Sequence, residues 1–157
     1  MKSVSLIEIA DRLDLFMEDG RCYLNKKTGD FVETQTQYLG IAEESEDDED
    51  FSEYQDWEQE AIQEALDVVE NWADYVELPG REEVNEYGIM ESFCYSQKDE
   101  KLGNKLCYAI EGKGAFRRFK DAIKQYGIEK EWYSYKHEAL CKIAREWCEF
   151  NNIEFLF

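Results

Sequence analysis

Proline and histidine each occur once in 157 residues. One proline, Pro79, leaves a single point where the chain is barred covalently from continuing a helix. One histidine means that acid, base or metal chemistry built on imidazole rests on His137 alone. No stretch approaches the roughly 18 consecutive apolar residues of a membrane-spanning helix. The opening MKSVSLIEIADRLD also lacks the apolar core and small-residue cleavage site of a secretory signal. A cytoplasmic protein without membrane contact is therefore expected. The five cysteines, Cys22, Cys94, Cys107, Cys141 and Cys148, are odd in number and contain no C-x-x-C pair. That pattern suits reduced, buried thiols better than a disulfide framework. The phosphate-loop pattern, the dinucleotide fingerprint after a strand and the calcium-loop pattern are all absent. No cofactor, no metal and no catalytic residue is assigned from motifs.

Apolar and aromatic residues, by contrast, are plentiful. The chain is 43% hydrophobic, with four Trp, ten Tyr and nine Phe. This content excludes a wholly disordered chain despite a formal net charge of -19. The acidity is localised: residues 1–40 carry a net -2, residues 41–100 a net -20, and residues 101–157 a net +3. A uniformly acidic surface would repel nucleic acid, whereas this polarised chain leaves one face open to an anion.

Ser5 followed by Glu8 reads as a capping box, with Leu6, Ile9, Ala10 and Leu13 recurring on one helical face. Arg21 to Asn25 and Asp30 to Thr34 are β-prone runs joined through a loop in which Gly29 can take positive φ, the signature of a hairpin. EESEDDED (43 to 50) is a like-charge block, and an acidic solvated linker is expected over about 41–53. A long amphipathic helix follows, with Trp57, Ala61, Ala65, Leu66, Val69, Trp72, Ala73 and Val76 inward, ending before Pro79. Further helices are predicted at about 82–96, 99–110, 115–126 and 132–151. Ile153 to Phe157 alternates like a short strand, expected to join the hairpin or the run Tyr75 to Leu78. The fold class is α+β and mostly helical. The chain reads as a single domain over 1–157, with five or six helices and a small antiparallel sheet made of the N-terminal hairpin plus the short C-terminal strand.

The segments EYGIMESF (86 to 93) and AIEGKGAFRRFKDAIKQYGIEKEWYSYKHEALCKIAREWCEFNNIEF (109 to 155) resemble a bacterial uncharacterised protein family with the hallmark G-x-G-A-F-R-R-F-K-D. YLNKKTGDFV resembles that family's opening segment. Glu111 stands where the family often carries a basic residue. The resemblance implies no established activity and no catalytic residues.

The strongest functional candidate is the turn and helix start GKGAFRRFK. Free amides and the dipole at a helix N-terminus favour an anion. Lys113, Arg117, Arg118, Lys120 and Lys124 add positive charge and form the candidate anion-binding set. The structural alternative is a tight helix-to-helix turn with Phe116 and Phe119 in the core and Arg117 paired to Asp121. Trp132, Tyr133 and Tyr135 could stack bases, although aromatics more commonly fill small cores. His137 and Cys141 stand four residues apart, which suits a nucleophile pair or part of a zinc site, beside the plainer reading of a buried-cysteine stripe. The acidic segment could fold over the basic helix, or imitate a nucleic-acid backbone toward a basic partner protein. The expectation is a non-enzymatic binding or regulatory domain with a macromolecular partner, protein or nucleic acid. The acidic mimic and the Cys/His enzyme or zinc site are the alternatives.

Overall fold

The computed structural model describes residues 3–15, 19–46 and 49–157; Asp47 and Asp48 of the acidic block lie outside the described residues. The chain opens with β1 (Val4–Ser5) and α1 (Leu6–Asp14). Ser5 accepts a hydrogen bond from the Glu8 amide at 3.2 Å, and Leu6, Ile9, Ala10 and Leu13 are buried, as the capping signal and periodicity predict. The hairpin follows as β2 (Gly20–Asn25) and β3 (Phe31–Gln35). In its loop, the Asn25 side chain accepts from the amides of Lys27 and Thr28, and Gly29 adopts φ 79°. A third strand, β4 (Tyr75–Glu77), pairs antiparallel with the other edge of β2, giving the order β3-β2-β4.

Alternation along these strands sorts side chains onto two faces of the sheet. Cys22, Leu24, Phe31 and Val76 face one hydrophobic cluster, and Tyr23, Val32 and Tyr75 face another. The second cluster is built by α2 (Thr36–Glu44) and α3 (Asp56–Glu70), through Tyr38, Leu39, Ala42, Ile62, Ala65 and Val68. Phe51 is buried in the same cluster, and α2 extends through Ile41 to Glu44. Both lie within the span 41–53 expected to be linker. The inward face of α3 is also turned relative to the expectation. Ile62, Ala65 and Val68 pack inward, whereas Trp57 and Trp72 stay 60% and 75% exposed.

On the other side of the sheet the larger cluster gathers α1, the turn α4 (Arg81–Val84), α5 (Glu86–Tyr95), α6 (Glu100–Ala109), α7 (Ala115–Gln125) and α8 (Glu129–Phe150). The helix expected over 82–96 is broken at Asn85, whose φ of 51° ends α4 and whose side chain accepts from the Gly88 amide to start α5. The Asp99 carboxylate caps α6 by accepting from the amides of Lys101 and Leu102. Phe93, Phe119 and Trp132 meet edge to face at 4.8 to 6.0 Å between ring centres, tying α5, α7 and α8 together. Lys136 of α8 reaches Asp14 at 2.6 Å and Glu86 at 2.8 Å, linking three helices. Burial alone would push its ammonium down, but these two carboxylates outweigh that and hold it above the ordinary lysine range.

Two expectations are corrected. The described residues form seven helices of nine residues or more, not five or six. The C-terminal strand β5 (Phe155–Leu156) does not join the hairpin sheet; it pairs parallel with β1 as a separate two-stranded sheet. Because α1 packs along α8, the chain leaving α8 returns beside the chain entering α1, and the Val4 amide donates to the Glu154 carbonyl at 3.0 Å. The place on β2 goes instead to Tyr75–Glu77.

Candidate functional site

The turn between α6 and α7 is set by Gly112 and Gly114, at φ 70° and 79°, a region that costs L-residues with side chains. A Cβ on Gly114 would also sit 2.9 Å from a guanidinium nitrogen of Arg118. That guanidinium folds back over the turn. Its Nε donates to the Ala109 carbonyl at 2.7 Å, and its two terminal nitrogens donate to the carbonyls of Lys113 and Glu111. Arg118 therefore satisfies carbonyls at the negative end of the α6 dipole and closes the loop on itself. The donors of this member of the predicted anion set are engaged by backbone.

The other four members differ. Lys113, Arg117, Lys120 and Lys124 are exposed, and no ion pair engages them among the described residues. The expected Arg117–Asp121 pair is not among the ion pairs of the described residues. At 100° per residue, Arg117, Lys120 and Lys124 fall within one narrow face of α7, opposite Ala115, Phe119 and Ile123 in the core. No ion pair among the described residues joins Glu43, Glu44, Glu46, Glu49 or Asp50 to this face. Of the candidate stacking aromatics, Trp132 is buried and Tyr135 is partly buried in the core, while Tyr133 remains 60% exposed.

His137 Nε2 lies 3.5 Å from Cys141 Sγ. A nucleophilic thiolate requires a lowered pKa. Here burial pushes the Cys141 thiol up, Asp11 and Glu138 push it further, and Arg145 only partly opposes them. Burial also raises Cys148 to about 11 and Cys94 to about 12, the latter helped by neighbouring Cys107. Among the described residues, no group of three or more His, Cys, Asp or Glu side chains is arranged to hold a metal.

Sequence reasoning missed a cavity of about 520 Å³ at the open end of the three-stranded sheet. It forms where the chain leaves β4: the Leu78 amide still donates to the Cys22 carbonyl, but Pro79 has no amide to continue the ladder. Arg12, Arg21 and Arg81 line it together with Glu33 and Glu77, and Trp57, Tyr38 and Leu13 supply apolar wall. Arg12 pairs with Glu33 at 3.1 Å and Arg21 with Glu77 at 3.9 Å. Two buried polar atoms on lining residues, Thr34 Oγ1 and Arg12 Nε, have no hydrogen-bond partner. Such groups typically cost about 1–3 kcal/mol each. The lining comes from five separated stretches of sequence, each of which reads locally as ordinary strand or solvated helix. Only Pro79-Gly80 marks the place in the linear chain.

Comparison with known proteins gives a match to the family model described as an uncharacterised protein family (UPF0158), over residues 52–157. The matched span contains the GKGAFRRFK turn and α3, and it leaves out the hairpin segment YLNKKTGDFV. No curated protein and no solved structure matches.

Proposed function

The chain belongs to the uncharacterised protein family UPF0158, and we propose that it is a non-enzymatic binding module whose basic α7 face contacts a nucleic-acid backbone. The observation that carries this reading is the set of unpaired cations at Lys113, Arg117, Lys120 and Lys124. A chain with 37 acidic residues has ample carboxylates to neutralise them, yet these four stay exposed and without ion pairs among the described residues. Cations already spent on carboxylates contribute little to a partner, whereas free ones gain from releasing counterions of a polyanion. Arg118 serves the site indirectly, by fixing the turn that presents Lys113 beside the first turn of α7. The partner in this reading is cytoplasmic, and no helix among the described residues is long and apolar enough to cross a membrane.

The test is fluorescence anisotropy of labelled mixed-sequence RNA and single-stranded DNA at low salt, comparing wild type with the double variant Arg117→Glu, Lys120→Glu. Wild type should bind, and the double variant should bind at least about tenfold more weakly. Equal affinities, with both proteins folded by circular dichroism, would remove α7 from the interface.

A second reading is favoured by α3, where Asp56, Glu60 and Glu64 form an exposed row at four-residue spacing without ion pairs among the described residues. Such a row suits a basic groove on a partner protein. Retention of the chain by an immobilised basic nucleic-acid-binding protein, lost on Glu60→Lys with Glu64→Lys, would support it; retention that survives the reversal would not.

A further inference from the structure

We propose that the basic face of α7 takes single-stranded nucleic acid, with Phe116 as the ring on which an unpaired base stacks. The inference rests on the reading of α7 as a nucleic-acid contact, and adds to it the class of strand and the residue that selects it. Periodicity puts Phe116 with Phe119 in the core, but the helix separates them: Phe119 is 2% exposed and Phe116 44%. At 100° per residue Phe116 stands about 40° around α7 from Lys120, one turn away along the axis, and Lys124 and Arg117 continue the same arc. Asp121 follows about 40° beyond Arg117, so the cations are bounded by an aromatic ring on one side and a carboxylate on the other.

A single exposed aromatic is ordinary on a protein surface. Phe116 differs in being held. Tyr87 of α5 meets it edge to face, at 6.3 Å between ring centres and 76° between planes, and Tyr87 donates its hydroxyl to the Ile110 carbonyl at 2.9 Å. Ile110 caps α6 at the start of the turn that Arg118 closes, so ring, brace and turn form one unit that also carries Lys113. A ring fixed before binding loses little rotamer freedom when a base settles on it. The other aromatic rings of this segment are engaged: Phe119 packs against Phe93 and Trp132, and Tyr126 has the Lys105 ammonium over it at 5.6 Å. Cations alone discriminate poorly between strand and duplex, because both carry phosphates. A ring does discriminate. Bases in a duplex are stacked on their neighbours, whereas an unpaired base can leave the stack and lie on Phe116 while the flanking phosphates meet Arg117 and Lys120.

Fluorescence anisotropy of the full chain at low salt tests the proposal with labelled DNA of equal length: an adenine strand, a strand of abasic sites carrying the same phosphates, and a duplex. An adenine RNA strand alongside tells the two kinds of strand apart. Wild type should bind the adenine strand about tenfold more tightly than the abasic strand. Phe116→Leu should remove that advantage and leave the affinities for the abasic strand and the duplex unchanged, whereas Phe116→Trp, which keeps a ring, should retain it. Survival of the advantage in folded Phe116→Leu, or its loss in folded Phe116→Trp, would overturn the proposal. So would equal binding of the two strands by wild type; if Arg117→Glu with Lys120→Glu abolished that binding, stacking alone would fall and the α7 contact would stand. Binding of no strand by wild type would overturn both.

Discussion

Arg118 donates to three carbonyls across the 109–113 turn, and no side chain with a single donor point can replace that fork. Arg118→Ala should lower stability by about 1–2 kcal/mol, read by denaturant unfolding, and Arg118→Lys should recover little of it. Its role was hidden in the sequence because five cations in twelve residues look alike until the backbone shows which one turns inward. The thiols give a second prediction at this scale. Folded Cys22 and Cys148 hold their protons to about 11 and Cys94 to about 12, against an ordinary value of 9.0, with burial the leading cause each time. A raised pKa in the folded state means that the unfolded chain loses the proton first. The contribution is therefore intact below about pH 9 and is lost as pH rises through 11 to 12. Melting temperature measured from pH 8 upward should fall across that window, and replacing Cys148 by Ala should flatten part of the fall.

Among the elements, the α2–α3 layer rests on one face of the sheet through a small cluster centred on Ile62, which is fully buried. Ile62→Ala should cost about 2–5 kcal/mol. Hydrogen exchange should then show α2 and α3 losing protection before α8 does. What was legible here followed from strong local signals: the Ser5 cap, the Gly29 loop, the Asp99 start of α6 and the apolar spacing of α7. What was not legible depended on neighbours. α2 carries Gly40 within it, has no side-chain cap and displays only Tyr38, Leu39 and Ala42 inward, so it becomes a helix against α3 rather than by its own pattern. The stripe through Trp57 and Trp72 fits the helical period as well as the true face does, and the sheet on which α3 packs decides between them. β5 is two residues long, and its partner is set by the packing of α1 on α8. The basic face of α7 was readable because exposure follows from its period, whereas the end-of-sheet cavity exists only once five stretches of chain have met.

At the scale of the whole molecule, charge is distributed unequally: residues 41–100 hold a net -20 and residues 101–157 a net +3. The long-range field of the acidic part opposes approach of a polyanion, while the four unpaired cations of the 113–124 segment attract it at short range. Binding at α7 must therefore depend on ionic strength in two ways. Added salt screens the repulsion over a Debye length of about 8–10 Å, and it also competes for the released counterions. For single strands the second effect contributes a slope of about -0.7 per phosphate neutralised, so four engaged cations set it near -3.

The most direct measurement is the logarithm of the RNA association constant against the logarithm of salt concentration, for wild type and for Arg117→Gln with Lys120→Gln. We predict a wild-type slope of about -3 that falls in magnitude to about -1.5 in the double variant. A wild-type slope near zero, or the same slope in both proteins, would contradict the assignment of α7 as the contact surface.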